Sequence, residues 1–240
     1  MQDSSLRLEY KPDLGLPKEP PGGASAPGRS PGVRAMGIAL RLLALVAAAL
    51  LPFFLIVRVA ALAYSRLEVG AWTAMLLSGA GVVLLLFVYV LVLRIRFQRK
   101  LGVPRWMRRL LVACVAGFVG FTLFYLSGAN AKTPEIREAY TELNPLLRLA
   151  TGTVLLVDRE AVVTDVDRTP ADYLAWGLSV NEASLHFEQD DGFVHAVDVR
   201  TVGRPEWKNR ALEAYYRGMG FRTLRHVGTA DHLHVSMPGR

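Results

Sequence analysis

Residues 184–198 have the sequence SLHFEQDDGFVHAVD, and residues 231–234 have the sequence DHLH. Within the first segment, Asp190-Asp191-Gly192 separates two runs of alternating apolar residues. An Asp-Gly pair between such runs is a strong hairpin signal, so the sequence predicts paired strands at 185–189 and 193–199. The second segment begins another apolar run. The carboxyl-terminal part of the chain is therefore predicted to contain an antiparallel sheet.

The remainder of residues 132–240 carries mixed helix and strand signals, which predicts a small α+β domain. Pro134 stands where the first turn of a helix would begin, and Pro145 would interrupt that helix. Short β-branched runs at 153–157 and 161–166 predict a further hairpin.

Residues 205–219 have the spacing of an amphipathic helix that ends at Gly218 or Gly220. The runs 221–226 and 232–237 that follow it predict two closing strands. The residues predicted to form the core-facing side of this helix are Trp207, Ala211, Tyr215 and Met219.

Three side chains in these segments are suited to binding one metal ion. Residues paired across a sheet come within about 5 Å of each other, so His186 and Asp198 are expected to meet across the hairpin. His234 would join them from the last strand, on the same face as His232. Two imidazoles and a carboxylate suit zinc and leave its fourth position open to water, which is the arrangement of a catalytic zinc site.

Two further residues are candidates for the chemistry of such a site. Asp231 begins the last strand, where its carboxylate could accept a proton as a general base. Arg168 ends an earlier strand, where it could hold a substrate carboxylate or a developing oxyanion. A His-x-His pair alone is a weak signal, so a zinc site and a pair that binds no metal both remain open from the residues alone.

The amino-terminal half of the chain is predicted to lie in a membrane. Hydrophobic residues make up 52% of the 240 residues, which is above the range usual for soluble domains. About 20 apolar residues cross a bilayer, and the sequence predicts three transmembrane helices at 37–64, 72–93 and 110–128. Cys114 lies within the third, and as the single cysteine it allows no intrachain disulfide.

Basic residues predict the orientation of these helices. The loop between the second and third spans has no acidic residue, and its basic residues are Arg94, Arg96, Arg99, Lys100, Arg105, Arg108 and Arg109. Positively charged loops stay in the cytoplasm, so three spans would place residues 132–240 in the periplasm or outside the cell. Residues 1–36, rich in Pro, Gly and Ser, would form a disordered cytoplasmic tail. The net charge of +7 does not indicate nucleic-acid binding, because many of the basic residues flank apolar runs, where they set the orientation of membrane helices.

The motifs resemble those of the LAS zinc peptidases. SLHFE at 184–188 and AVDV at 196–199 are similar to the Ser-x-His-x-x-Gly-x-Ala-x-Asp signature of this group, and DHLH at 231–234 is similar to its closing motif. The group includes D-alanyl-D-alanine carboxypeptidases, VanX-type dipeptidases and phage endolysins, and the hedgehog signalling domain shares the fold. TDVDRT at 164–169 looks like the turn that carries the group's substrate-binding arginine.

The resemblance implies a role for each candidate residue. His186, Asp198 and His234 would be zinc ligands, Asp231 the base, and Arg168 the group that binds a carboxylate or stabilises an oxyanion. The implied protein is a membrane-anchored zinc metallopeptidase that hydrolyses peptidoglycan peptides, as a D,D-carboxypeptidase or an endopeptidase.

The chain departs from the signature in two places, and in the first of them Gln189 stands where the group has glycine. The group places its first His and its Asp seven positions apart, whereas here the separation is 198 − 186 = 12 positions. Removing residues 190–194, which include the predicted turn, restores the spacing. Two other functions remain open: a non-catalytic zinc-containing module that binds wall peptides or a partner protein, and a structural membrane assembly protein. The presence of Asp231 favours the enzyme, because a binding site needs no base.

Overall fold

The computed structural model describes residues 31–97, 104–175, 177, 179–181, 183–228 and 231–239. The elements in chain order are α1 (Pro31–Arg66), α2 (Ala71–Phe97), α3 (Arg105–Phe124), a 3-10 turn (Gly128–Asn130), α4 (Pro134–Ala139), α5 (Pro145–Val157), β1 (Val163–Asp165), α6 (Pro170–Ala175), β2 (Ala196–Arg200), α7 (Glu206–Met219), β3 (Arg222–His226) and β4 (His232–Ser236). Residues 1–30 of the predicted tail lie outside this description, and α1 begins ahead of the predicted span.

Two helices near the amino terminus are long and apolar enough to cross a membrane. They are the segments Ala35–Arg66 and Ala71–Arg96, which match the first two predicted spans. Helix α3 covers most of the third predicted span, but its apolar part, Val112–Phe124, is shorter. The structure therefore supports two of the three predicted spans, and the third remains a prediction.

Residue contacts divide the chain into one unit that ends at Val46 and a second that runs from Ala47 to Arg240. The second unit contains the end of α1 and all the elements that follow it. The predicted domain boundary near residues 128–132 lies inside this unit, because α3 packs directly against α5.

The sheet is antiparallel with the strand order β1-β2-β4-β3. Strands β3 and β4 confirm the two predicted closing strands. Strand β2 pairs with β4 so that Val199 lies opposite Leu233 and Asp198 lies opposite His234. Because side chains alternate along a strand, these two pairs point to opposite faces of the sheet.

One face of the sheet forms part of the hydrophobic core. Val197, Val199, Leu233 and Val235 are buried there in a cluster that also contains side chains of α5 and α7. The opposite face carries Asp198 and the residues near it. The sheet thus separates an apolar layer of helices from a polar face.

The predicted strand at 153–157 is wrong, because these residues form the last turns of α5. The Asn144 side chain accepts a hydrogen bond from the Leu146 backbone N–H, and Pro145 occupies the first turn, so the helix starts where the sequence predicted an interruption. Leu146, Leu147, Leu149 and Ala150 are buried together. Burial on several sides outweighs the strand preference of the β-branched residues.

The turn at Asp190-Asp191-Gly192 is confirmed, although the strands predicted beside it are much reduced. Gln189 donates a backbone hydrogen bond to Phe193, and Gly192 has a φ of 77°, which favours glycine. Pairing is limited to a single bridge between Glu188 and Val194. His186 is therefore not on a strand, and regular pairing begins only at Ala196.

Helix α7 is confirmed, but its buried side differs from the predicted one. The buried residues are Asn209, Leu212, Tyr216 and Met219, whereas Trp207 is 68% exposed. Gly220, with a φ of 102°, ends the helix. The true core stripe follows 3–4 spacing from Asn209, whose side-chain N–H donates to the Thr201 carbonyl.

The contact between α3 and α5 gives a prediction about stability. A Cβ atom added to Gly152 would lie 2.7 Å from Thr122 Cβ and 2.8 Å from Thr122 Cα, so the two helices must separate to accept it. We expect Gly152→Ala to reduce the free energy of unfolding by about 1–3 kcal/mol. Thermal unfolding in detergent would measure this effect.

Gly218→Ala is the matched control, because a Cβ atom at this helical glycine meets nothing within 4 Å. Alanine has the higher helix propensity, so this control should be neutral or slightly stabilising. Equal melting temperatures for the two variants would show that α3 and α5 do not pack as closely as described.

Candidate metal centre

Three elements bring the predicted ligands together. Asp198 lies in the middle of β2, and His234 lies directly opposite it on β4. His186 comes from the turn segment that follows α6, and its backbone carbonyl accepts a hydrogen bond from the Arg168 N–H. The expected pairing of His186 with Asp198 across a hairpin is wrong, because the strand opposite Asp198 carries His234. The three residues nevertheless meet as predicted.

The ligand atoms of the three residues form a compact triangle. His234 Nδ1 is 2.9 Å from Asp198 Oδ1 and 3.3 Å from His186 Nε2, and His186 Nε2 is 3.4 Å from Asp198 Oδ1. Ligand atoms bound to zinc at about 2.0–2.1 Å in a tetrahedron are about 3.3 Å apart. The triangle therefore has the size of one face of a zinc coordination tetrahedron, and the three residues could hold a metal ion.

A hydrogen bond fixes the orientation of the most buried ligand. His186 is 1% exposed, and its Nδ1–H donates to the backbone carbonyl of Val166 over 2.7 Å. In the neutral ring this bond leaves the lone pair on Nε2, which is turned toward the triangle. Metal-binding histidines usually have such a partner for the other ring nitrogen, and it raises the basicity of the ligand.

The carboxylate of the triangle is held in its charged form. Burial raises the pKa of the Asp198 carboxyl, but hydrogen bonds with the rings of His186 and His234 outweigh burial and hold its pKa well below the usual range. The side chain therefore provides a permanent negative charge for a cation. The proton that His234 Nδ1 shares with Asp198 must leave when a metal binds at that nitrogen.

Arg168 lies at the candidate centre, where it contacts the carboxylate of Asp198. Its Nη2 donates to Asp198 Oδ2 over 3.0 Å, and its Nε donates to Asp165 Oδ2 over 2.6 Å. One oxygen of Asp198 thus faces the arginine and the other faces the two histidines. Asp165, which sequence reasoning did not identify, completes this chain of charges from the end of β1.

Replacing Arg168 should weaken metal binding while preserving the three ligands. Without the guanidinium, Asp198 loses the contact that orients it, and such partners usually change metal affinity by about 10–100-fold. We expect Arg168→Gln to reduce zinc affinity within that range, as measured by competition with a chelating dye. Arg159→Gln, at an exposed position, should leave the affinity unchanged. An Arg168→Gln affinity equal to that of the wild type would contradict an orienting role.

Asp231 lies near the centre with one oxygen paired and the other unpaired. Its Oδ2 accepts a hydrogen bond from Arg225 Nη2 over 3.2 Å. Its Oδ1 is buried and, among the described residues, has no hydrogen-bond partner. An unpaired buried carboxylate oxygen is unfavourable unless a ligand or water supplies a proton donor. The structure does not bring Asp231 into contact with the three ligands.

His232 has no role in the site predicted from the sequence. Its Nε2 is 3.6 Å from Asp198 Oδ2, and its ring stacks on that of His226 with the centroids 4.6 Å apart. Strand alternation had already predicted that it shares a face with His234. The period-two pattern therefore predicted which face of the sheet carries His232, but not the contact of His232 with the carboxylate of Asp198.

A cavity of about 370 Å³ opens beside the centre. It is lined by Lys132, Thr164, Asp165, Arg168, Asp198, Arg200, Val202, Asp231 and His232. Two of these cations, Lys132 and Arg200, make no salt bridge with the described carboxylates in the cavity wall. The cavity therefore combines the carboxylate of the candidate ligand Asp198 with cationic groups that suit an anionic ligand.

Comparison with models of protein families, with curated proteins and with solved structures found no match to this chain. The likeness to LAS zinc peptidases therefore rests on the motifs, and the centre has to be interpreted from its own geometry.

Proposed function

We propose that this protein is a membrane-anchored zinc peptidase. The observation that carries the proposal is the triangle of His186 Nε2, Asp198 Oδ1 and His234 Nδ1, whose edges match those of a zinc site with three protein ligands. Catalytic zinc is held by three protein ligands beside an open cavity, whereas structural zinc is enclosed by four protein ligands. The three ligands and the adjoining cavity therefore match the catalytic arrangement.

The residues around the triangle have defined tasks in this proposal. Zinc, when bound, would supply Lewis acidity toward water and toward the scissile carbonyl. Asp231, which lines the cavity, accepts the proton of the attacking water on its carboxylate and later returns it to the leaving amine. Arg168 orients Asp198 and presents positive charge to the cavity, where an oxyanion develops.

The substrate proposed is a peptide of the cell wall with a free or adjacent carboxylate. The cations Lys132 and Arg200 in the cavity suit the carboxyl terminus of such a peptide. A D,D-carboxypeptidase would bind the terminal carboxylate of the peptide in this way. An endopeptidase would instead bind a carboxylate on a branch of the substrate. The motif resemblance favours the same class of reaction.

The proposed location is the plasma membrane, with the metal centre outside the cytoplasm. Arg94 and Arg96 end α2, and Arg105 and Arg109 begin α3, so the connection between these helices is basic on both sides. Such a connection stays in the cytoplasm. Residues 132–240 then face the periplasm or the cell exterior, where wall peptides occur, provided that α3 crosses the membrane as α1 and α2 do.

Digestion of purified wall fragments tests the proposal directly. Full-length protein in detergent, loaded with one equivalent of zinc, should release D-alanine or cut cross-links, and a chelator should stop the reaction. Zinc should restore it. If protein that holds zinc releases no product from these fragments, the proposal of a peptidase is refuted.

A binding module is the second candidate, and the contact of Asp231 favours it. A carboxylate held by Arg225 at 3.2 Å is less available as a base than a free one. In that case the zinc-loaded protein would bind muropeptides without cutting them, and calorimetry with the same fragments would detect the binding.

A further inference from the structure

Helix α5 packs against the last turn of α3. The Cα of Gly152 is so close to Thr122 that no side chain fits between them, and Arg148 Nη1 donates to the Leu123 carbonyl over 3.0 Å. Thr122 and Leu123 precede the end of α3 at Phe124. Helix α5 therefore lies at the level where α3 leaves the membrane in the proposed topology.

Helix α7 is fixed to α1 at a similar level. Arg58 Nη1 donates to the carbonyl of Met219, at the carboxyl end of α7, over 3.3 Å. Arg58 precedes the end of α1 at Arg66 by 66 − 58 = 8 residues, which is about 12 Å along a helix. The cation thus meets the negative end of the α7 dipole beside the outer turns of a membrane helix.

Part of the exposed surface of these two helices is apolar, although α7 also carries surface ion pairs, Glu206 with Arg210 and Glu213 with Arg217. Leu156 and Val157 at the end of α5 are 45% and 86% exposed, and Trp207 on α7 is 68% exposed. Between the helices is a cavity of about 330 Å³. Its lining is formed by Thr153, Val154, Val157, Asp158, Trp207, Lys208, Ala211, Leu212 and Tyr215. We refer to Leu156, Val157, Trp207 and this cavity as the α5–α7 patch.

The geometry points to the lipid interface as the partner of the α5–α7 patch. In the proposed topology both helices are held against the outer turns of membrane helices, α5 by α3 and the carboxyl end of α7 by α1. Aliphatic side chains with a tryptophan and a lysine at the rim suit the boundary between acyl chains and headgroups. Arg148, the one charged residue of α5, is buried and donates inward, so the helix presents no charge to lipid.

This inference extends the proposed function and rests on its membrane anchoring. The metal centre lies on the face of the sheet opposite the core that contains α5 and α7. With the helices in the interface, the sheet holds the centre on the order of 10 Å above them, facing away from the bilayer. The substrate is then a peptide of the wall layer next to the membrane rather than of distant layers.

Spin labels on the full-length protein in phosphatidylethanolamine–phosphatidylglycerol vesicles test the inference. Cys114 is replaced by serine, and single cysteines are introduced as Val157→Cys and Trp207→Cys. Relaxation by oxygen, which concentrates in lipid, is compared with relaxation by a water-soluble nickel chelate. Leu84→Cys, at a 63% exposed site on α2, is the membrane control, and Val227→Cys, 83% exposed at the far end of β3, is the water control.

We expect the ratio of oxygen to nickel relaxation at residues 157 and 207 to exceed that at 227 severalfold and to approach that at 84. Ratios at 157 and 207 equal to that at 227, with a high ratio at 84, would overturn the interfacial location while leaving the anchored peptidase intact. A low ratio at 84 would refute the membrane anchoring and with it this inference. Zinc content of the same samples reports separately on the metal centre.

Discussion

His234→Ala is expected to abolish stable zinc binding by the full-length protein. The substitution removes Nδ1, which forms two of the three edges of the ligand triangle, at 2.9 Å and 3.3 Å. Two ligands then remain, and the affinity should fall by well over the roughly 100-fold that loss of an outer partner can cause. Metal analysis after gel filtration, together with dye competition, would measure the loss.

His226→Ala is the matched control, because His226 lies on the neighbouring strand and faces the same side, but is not part of the triangle. It should retain one zinc per chain. His234 is only partly buried, so its replacement should preserve the fold, which circular dichroism would verify. Full zinc occupancy in folded His234→Ala would refute the ligand assignment. An equal loss of zinc in both variants would show that zinc binds to the exposed histidines in general and not to the triangle.

Local signals in the sequence predicted the two closing strands and the convergence of His186, Asp198 and His234. Strand alternation placed His232 and His234 on one face of the last strand, and the Asp-Gly turn was found where the dipeptide predicted it. These features depend on neighbours along the chain and on period-two patterns, which a sequence displays directly. The assignment of 153–157 failed because the helix at these residues is stabilised by packing against α3, a contact with residues about 30 positions away.

The position of His186 illustrates a different limit. Its contribution to the triangle was predicted, but its location on a strand was not confirmed, because the backbone there is held by single hydrogen bonds from Arg168 and His195 rather than by a ladder. Such contacts join segments that are not paired in any regular register. The orientation of Asp231 was not predicted either, because it depends on Arg225, a residue of the adjacent strand that no motif marks.

Asp231→Asn is expected to separate catalysis from metal binding. The asparagine keeps the size of the side chain and can still contact Arg225, but Oδ1 can no longer accept a proton. Loss of a general base usually lowers the rate by about 10²–10⁴-fold. Zinc content should remain at the wild-type level, because Asp231 is outside the triangle. Hydrolysis of wall fragments and metal analysis on the same preparation would measure both quantities.

Glu206→Gln controls for the alternative that Asp231 acts only by holding Arg225. Glu206 Oε2 lies 3.6 Å from Arg225 Nη1, so this variant removes the other carboxylate of the same arginine without touching the cavity. If Asp231 is the base, Glu206→Gln should remain active while Asp231→Asn is not. Equal losses in the two variants would assign Asp231 a structural role. Wild-type hydrolysis by Asp231→Asn would exclude it as the base and leave His232, at 3.6 Å from Asp198, as the next group to replace.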